Sequence, residues 1–175
     1  MGPKTKSPPG DTNQSDRDIF FMRAAMEAAI EARDKGDIPI GAVMVHEDKI
    51  IAKAGNARKI SSDPTAHAEI LVLREAAEKL GDWRLLGCTL YVTLEPCTMC
   101  AGALVLARLT RVVFGASDPK AGAVESLYTI LADPRLNHQP VVTSGVLADE
   151  TGELLRGFFR ARRTKKAEKY SNTSD

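Results

Sequence analysis

Apolar positions along this chain recur with two periods, one helical and one extended, and their alternation predicts the elements. Met22, Met26, Ile30 and Arg33 fall at helical spacing among alanines, with Ser15 as the cap, Asp18 in the first turn and Gly36 as the stop. Ile40 to His46 and Lys49 to Ala54 are short apolar runs joined across Glu47-Asp48, the pattern of a hairpin. Asp63-Pro64-Thr65 opens a second helix whose buried stripe is Ile70, Leu73, Ala77 and Leu80, ending at Gly81. Cys88 to Thr93 is a strand by its β-branched and aromatic content. Glu95-Pro96 starts a third helix with Cys97, Cys100, Ala101 and Leu104 on one face. Arg111 to Ala116 is another strand, Gly122 to Leu131 a short helix and Pro140 to Thr143 a last short strand. Leu147 to about Lys169 is a final helix, apolar early and basic late.

Strands alternating with helices predict an α/β fold, a sheet covered by helices in three layers. At 175 residues the chain suits one domain with a real core, and no internal repeat divides it. The predicted organisation is a disordered polar tail over 1–15, a single domain over 16–169 and a disordered end over 170–175. The tail is rich in Pro, Ser and Lys and lacks the apolar core of a signal peptide. No apolar run approaches membrane-spanning length. Three cysteines are too few for a disulfide framework, and thiolate metal ligands suit a reducing compartment. A soluble cytoplasmic protein without a membrane partner is expected.

Charge adds little in bulk, since 24 Lys and Arg face 23 Asp and Glu. Its distribution adds more. Arg156, Arg160, Arg162, Arg163, Lys165, Lys166 and Lys169 are opposed within that stretch only by Glu168. Such an end can neutralise phosphates. It can equally be a solvated helix end whose cations favour the dipole.

Chemistry concentrates in Thr65-Ala66-His67-Ala68-Glu69 and Glu95-Pro96-Cys97-Thr98-Met99-Cys100. A catalytic zinc typically takes three protein ligands and leaves the fourth position to water. His67, Cys97 and Cys100 supply three. The two cysteines are spaced to turn toward one point at a helix start, where the partial positive charge favours thiolate. Glu69, two positions past His67, diverges from it on a helix and is placed beside a metal rather than on it. Two thiolates already offset a dication, which leaves bound water less acidic and calls for a nearby base. Cys88 admits two readings: a fourth ligand closing a structural site, which leaves Glu69 without a role, or a small buried hydrophobe. His46 beside the hairpin turn reads as a surface residue, and His138 as a loop residue.

From Asp18 to about Arg163 the chain resembles the bacterial tRNA-specific adenosine deaminases of the cytidine-deaminase-like superfamily. The metal motif has the His-x-Glu and Pro-Cys-x-x-Cys form of zinc nucleobase deaminases. Pro39-Ile40-Gly41-Ala42-Val43, Gly55-Asn56, Thr89-Leu90-Tyr91-Val92-Thr93-Leu94-Glu95-Pro96-Cys97, Arg111-Val112-Val113-Phe114-Gly115-Ala116, Asn137-His138 and Phe158-Phe159-Arg160 carry the rest. The resemblance implies a three-layer α/β/α fold with a mixed five-stranded sheet, and a homodimer with active sites near the subunit interface. It implies one zinc per subunit, held by His67, Cys97 and Cys100. The implied reaction is hydrolytic deamination of the wobble adenosine in an anticodon loop, in particular that of an arginine tRNA. Glu69 is then the proton shuttle, taking a proton from water and passing it to the ring nitrogen before ammonia leaves. Asn56, Asp118 and Asn137 match residues that meet the substrate, and Phe158 and Phe159 match aromatic residues that help hold the loop. Arg160 and Arg162 complete an aromatic and cationic surface of the type that reads single-stranded RNA. Pro119 restricts Asp118 to extended conformations. Two competing readings are a zinc deaminase of a free nucleobase or nucleoside, and a non-enzymatic RNA-binding module with structural zinc.

Overall fold

A computed structural model of the chain describes residues 13–171, with side chains described through Thr164. The predicted hairpin pairs β1 (Gly41–His46) with β2 (Lys49–Gly55) in antiparallel register. Glu47 and Asp48 take φ of 47° and 59°, the left-handed pair that matches the twist of a two-residue hairpin turn. β1 also pairs antiparallel with β3 (Cys88–Leu94); β4 (Arg111–Ala116) lies parallel to β3, and β5 (Val141–Thr143) parallel to β4. The order β2-β1-β3-β4-β5 makes a mixed five-stranded sheet.

Side chains alternate across the sheet, so each strand feeds two cores. Ala42, Met44, Leu90, Val92, Val112 and Phe114 face one way, against α3 (Ala68–Leu80) and α4 (Thr98–Leu106). Val43, Val45, Tyr91 and Val113 face the other, against Phe21, Met22, Ala24 and Ala25 of α1 (Gln14–Asp34). The last helix, α5 (Ala148–Ser171), packs over β4 and β3 beside α1. The expected α/β/α arrangement is the one observed.

Helix α1 lies unusually near the sheet because its buried face is largely alanine: Ala25, Ala28, Ala29 and Ala32. A Cβ at Gly41 would overlap the Ala25 carbonyl, and one at Gly55 the Ala28 carbonyl. Glycine at both positions is what lets helix backbone rest on strand backbone.

Several predicted boundaries move. Asn13, not Ser15, caps α1, its side-chain oxygen accepting from the Asp16 N–H at 3.0 Å. Residues 13–15 therefore belong to the first helix rather than the tail, and 170–171 belong to α5; the remaining tail positions, 1–12 and 172–175, lie outside the described residues. Asp18 is no helix-start charge but a buried partner of Arg111, in two bonds of 2.7 Å. Asp63-Pro64-Thr65 forms a turn in which the Asp63 carboxylate accepts from the Thr65 N–H and hydroxyl, at 2.8 and 2.7 Å. Helix α3 then begins only at Ala68, after the cap residue His67. Its buried stripe is Ala68, Glu69, Val72, Leu73 and Ala76, while Leu80 is exposed. In the same way Cys97 caps α4, with Pro96 outside it. A four-residue helix, α2 (Arg58–Ser61), precedes the Asp63 turn and was not predicted. Over 122–131 the only regular piece is one 3₁₀ turn, Ile130–Ala132, because the N–H groups of Val124, Glu125 and Ser126 all bond the Glu95 carboxylate instead of helix carbonyls.

Candidate metal centre and active site

The strand directions bring the chemistry to one edge. β2, β3 and β4 all point the same way, since β2 and β3 are each antiparallel to β1 and β4 is parallel to β3. Loops leaving their carboxyl ends therefore share one rim, the usual position for a ligand crevice in an open α/β sheet. Asn56 follows β2, Glu95 to Cys97 follow β3, and Ser117 and Asp118 follow β4. The N–H of Ala57 bonds the Ala66 carbonyl at 3.0 Å, which draws the entry to α3 onto the same rim.

There His67 Nδ1 lies 3.7 Å from the Cys97 sulfur and 3.5 Å from that of Cys100. All three ligand atoms fall within 4.8 Å of one another. Tetrahedral zinc with ordinary Zn–N and Zn–S bonds demands nitrogen–sulfur edges of about 3.6 Å, so the donor set fits that ion in type and in spacing. Cys88 cannot close the tripod. It starts β3 whereas Cys97 follows its end, a separation on the order of 20 Å along the strand. Its thiol is fully buried, and burial pushes it up to about 11, the behaviour of an inert core residue.

The three ligands are electrically coupled. A bond from Cys100, then one from His67, pulls the Cys97 thiol down to about 3, while the same sulfur–sulfur contact raises Cys100. His67 is raised by its bond to Cys97. Glu69 stands beside them, buried, and burial pushes its carboxyl up to about 7. Its Oε2 is the one buried side-chain oxygen or nitrogen without a hydrogen-bond partner among the described residues. An orphan carboxylate oxygen costs free energy in a folded core unless a ligand satisfies it.

Two carboxylates that sequence reasoning did not single out organise the rim. Asp37 accepts from the side-chain amide of Asn56 at 2.7 Å and from the N–H groups of Ile38, Lys59 and Ile60 at 2.8, 2.8 and 3.2 Å. One N–H of the Asn56 amide is thereby committed to Asp37, which turns the amide oxygen the other way as an acceptor. Glu95 accepts from the N–H groups of Asp118, Val124, Glu125 and Ser126 at 2.8 to 3.1 Å, and from the Ser126 hydroxyl. Burial alone would raise Glu95, but those bonds outweigh it and bring the carboxyl down to about 2. A Cβ at Gly122 would overlap this carboxylate, and Gly122 pairs with the metal-ligand candidate Cys97. Neither carboxylate has a sequence signature, because the partners are mostly backbone donors.

The other predicted contacts separate into two groups. Asp118 is on the rim, its Oδ1 accepting from Lys120 and Ala121 N–H. Phe158 and Phe159 stack edge to face at 5.4 Å on α5, with Arg162 over Phe158 at the same distance. Arg160 bonds Glu153 at 2.6 Å, so its charge is partly offset within its own helix. Asn137 stands apart. Its amide oxygen accepts from Arg108 at 2.6 Å, beyond the carboxyl end of α4 and roughly 14 Å, one length of that helix, from Cys97. His138 beside it bonds the Leu109 carbonyl at 2.6 Å and serves the fold.

A nitrogen–sulfur tripod with a buried carboxylate alongside, on the rim of a mixed sheet, defines a hydrolytic metal site of the deaminase class. A profile of the MafB19-like deaminase family matches residues 15–163. The tRNA-specific adenosine deaminase of Bacillus subtilis is 51% identical over 159 residues, 91% of this chain and 99% of that protein. A solved structure from work on A-to-I editing by tRNA:A34 deaminases at the wobble position is 48% identical, with TM-score 0.75 over 78% of this chain and 99% of that one. A guanine deaminase structure from Bacillus subtilis is more distant, at 31% identity and TM-score 0.56 over 87% of this chain and 95% of that one. The chain belongs to the MafB19-like deaminase family, and proteins about half identical to it over most of its length are tRNA-specific adenosine deaminases.

Proposed function

We propose that the protein is a zinc-dependent hydrolase that converts adenosine to inosine at the wobble position of a tRNA anticodon loop, with an arginine tRNA as substrate. The observation that carries this is the unpartnered, buried Glu69 oxygen beside the His67, Cys97 and Cys100 donors. When bound, zinc supplies a Lewis acid that makes water a nucleophile at neutral pH. Glu69 takes one proton of the attacking water and delivers it to the adenine ring nitrogen, then moves the remaining hydroxyl proton to the amino group, which leaves as ammonia as the carbonyl forms. Burial suits it to both directions of transfer, because it raises the carboxyl toward neutrality. Asn56 orients the nucleotide as an acceptor, while Asp118, Phe158, Phe159 and Arg162 hold the unstacked loop; Arg160 and Asn137 are reached only by a substrate extending beyond the reacting nucleotide.

The names of the relatives support the tRNA substrate, and the sequence difference from the guanine deaminase supports it over a free base. Among the described residues no helix is long and apolar enough to cross a membrane, and a cytoplasmic location agrees with a tRNA substrate. A homodimer is supported by large apolar side chains left in solvent on one chain, Leu106 at 69%, Tyr128 at 56% and Leu127 at 52% exposure. The test is direct: purified protein, with its zinc content measured, is offered an anticodon stem-loop bearing the wobble adenosine, then free adenosine, cytidine and guanine. Inosine in the stem-loop alone is the expected result. Turnover of a free base or nucleoside without the stem-loop would overturn it.

A further inference from the structure

Asp37 lies in the connection between α1 and β1 and is 2% exposed. The end of α1 fixes its backbone: Gly36 takes φ of 85°, and the Asp37 N–H donates to the Ala32 carbonyl at 3.0 Å. Burying a carboxylate costs free energy unless donors surround it, and here four do. Its Oδ1 meets the Ile38 N–H and the Asn56 amide, its Oδ2 the N–H groups of Lys59 and Ile60. Burial alone would raise Asp37, but those bonds outweigh it and hold the carboxyl below its ordinary range. Asp37 is therefore ionised at neutral pH and can only accept. Three of its bonds go to backbone and serve the fold. The fourth reaches a residue on the rim.

That residue, Asn56, is 3% exposed, and its N–H donates to the Ile40 carbonyl at 2.8 Å. The bond from Ala57 to Ala66 sets it beside the approach to His67. An asparagine amide is nearly symmetric in shape, and a half-turn about its last bond exchanges donor for acceptor. Asp37 removes that freedom, because an amide oxygen turned toward it would face another oxygen at 2.7 Å. No group among the described residues donates to Asn56 Oδ1, and this atom is not sealed in the core, since Glu69 Oε2 is the one buried oxygen in that condition. An acceptor is thus held ready for a donor. Adenosine within a strand offers few. The free ring nitrogens of adenine accept, the amino group sits on the reacting carbon toward the tripod and Glu69, and the 3′ oxygen is esterified. The 2′-hydroxyl remains, the group by which a protein tells RNA from DNA.

We infer that Asp37 is a positioning residue for the reaction: by fixing the Asn56 amide it keeps an acceptor turned toward the nucleotide, and so selects a 2′-hydroxyl on the sugar of the reacting adenosine. The inference rests on the RNA-deaminase reading and deepens it, because it assigns the choice of sugar to a residue that does not touch the substrate.

The experiment uses the full-length, zinc-loaded protein and anticodon stem-loops that differ only at the 2′ position of the reacting adenosine: hydroxyl, amino, fluoro or hydrogen. The first two donate a hydrogen bond and the last two do not. Wild-type kcat/KM should favour the donors at least ~10-fold, the effect of leaving one polar group of the site unpaired. Asp37→Asn lets the Asn56 amide turn and should bring that preference below ~3-fold. Asn56→Ala should lose the preference as well, and adding Asp37→Asn to it should change nothing further, because Asp37 acts through Asn56. The reciprocal swap, Asp37→Asn with Asn56→Asp, again pairs a donor with a carboxylate whose second oxygen faces the nucleotide, and should restore the preference. General loosening of the rim would lower all four rates together and leave their ratios untouched. A folded Asp37→Asn variant with the full preference overturns the inference. If that variant does not fold, the swap decides: a kept preference upholds the pairing and a lost one overturns it. Equal wild-type turnover of all four stem-loops overturns the inference while deamination stands. No turnover of any of them sinks the enzymatic reading, and the inference with it.

Discussion

Glu69 and Glu95 are both buried glutamates near the metal ligands, and their surroundings give them opposite properties. Glu69 has an oxygen without a partner and is pushed up to about 7 by burial, whereas Glu95 meets five donors and falls to about 2. Environment, not residue type, separates a group that can trade protons from one that holds a loop. Glu69→Gln is therefore expected to cut kcat by at least ~100-fold, with zinc content and stem-loop affinity retained; wild-type turnover in a zinc-loaded variant would exclude the shuttle role. Glu95→Gln turns one acceptor into a donor facing N–H groups, with an expected loss of about 1.5–3 kcal/mol measured by denaturant unfolding. The sign with pH follows from the lowered carboxyl. Its stabilisation is complete above the unfolded-state value near 4.5 and disappears as pH falls toward 2, so the difference between wild type and variant should shrink over that window. At this scale the metal ligands and Glu69 were legible because their side chains do rare chemistry at a characteristic spacing. Glu95 and Asp37 were not, since a carboxylate that binds backbone N–H groups needs no particular residue opposite it.

Elements carry a second constraint, the seating of α1 on the sheet. Asp18 receives two bonds from Arg111 and one from Tyr91 at 2.9 Å, and Arg111 also donates to Thr143 at 2.7 Å, so one buried pair links α1 to β3, β4 and β5. Burial alone would raise Asp18; the bonds from Arg111, Tyr91 and Gln14 outweigh it and hold the carboxyl below its ordinary range. Arg111→Met leaves that carboxylate buried and without its cation, a loss of about 3–5 kcal/mol in the unfolding free energy. A variant within 1 kcal/mol of wild type would show that solvent reaches Asp18 and the clamp is weak. Strand and hairpin positions were readable because alternation registers which face is buried, as Val43 and Met44 show by entering different cores. Helix starts were harder to place. Ser15 and Asp63 have the chemistry of caps, yet Asn13 takes the first role and Asp63 spends its carboxylate on Thr65 two residues on. The segment after Gly122 carried helical spacing that Glu95 overrides from another element.

At the scale of the whole molecule, the site exists only because the carboxyl ends of β2, β3 and β4 meet at one rim, and α5 returns to it from the end of the chain. Neither spacing nor composition shows that β2, β4 and α5 also reach that rim; this depends on strand direction and on a helix whose Arg162 comes to lie beside Lys59. A bound ion would tie the rim together, because its ligands come from the entry to α3 and from the turn between β3 and α4. Zinc removal should therefore lower the thermal midpoint as well as abolish turnover, and zinc should restore both. Thiol labelling separates this from general loosening. Cys97 is half-buried at the rim, Cys100 is buried one helical turn away, and Cys88 is sealed in the core at the far end of β3. With zinc in place all three resist an alkylating reagent, two through coordination and one through burial. After chelation Cys97 labels first, while Cys88 stays silent until the chain unfolds. Mass spectrometry of the modified peptides reads this order. Early labelling of Cys88 would mean that the metal props up the whole core, and equal labelling of Cys97 with and without zinc would mean that its sulfur never binds the ion.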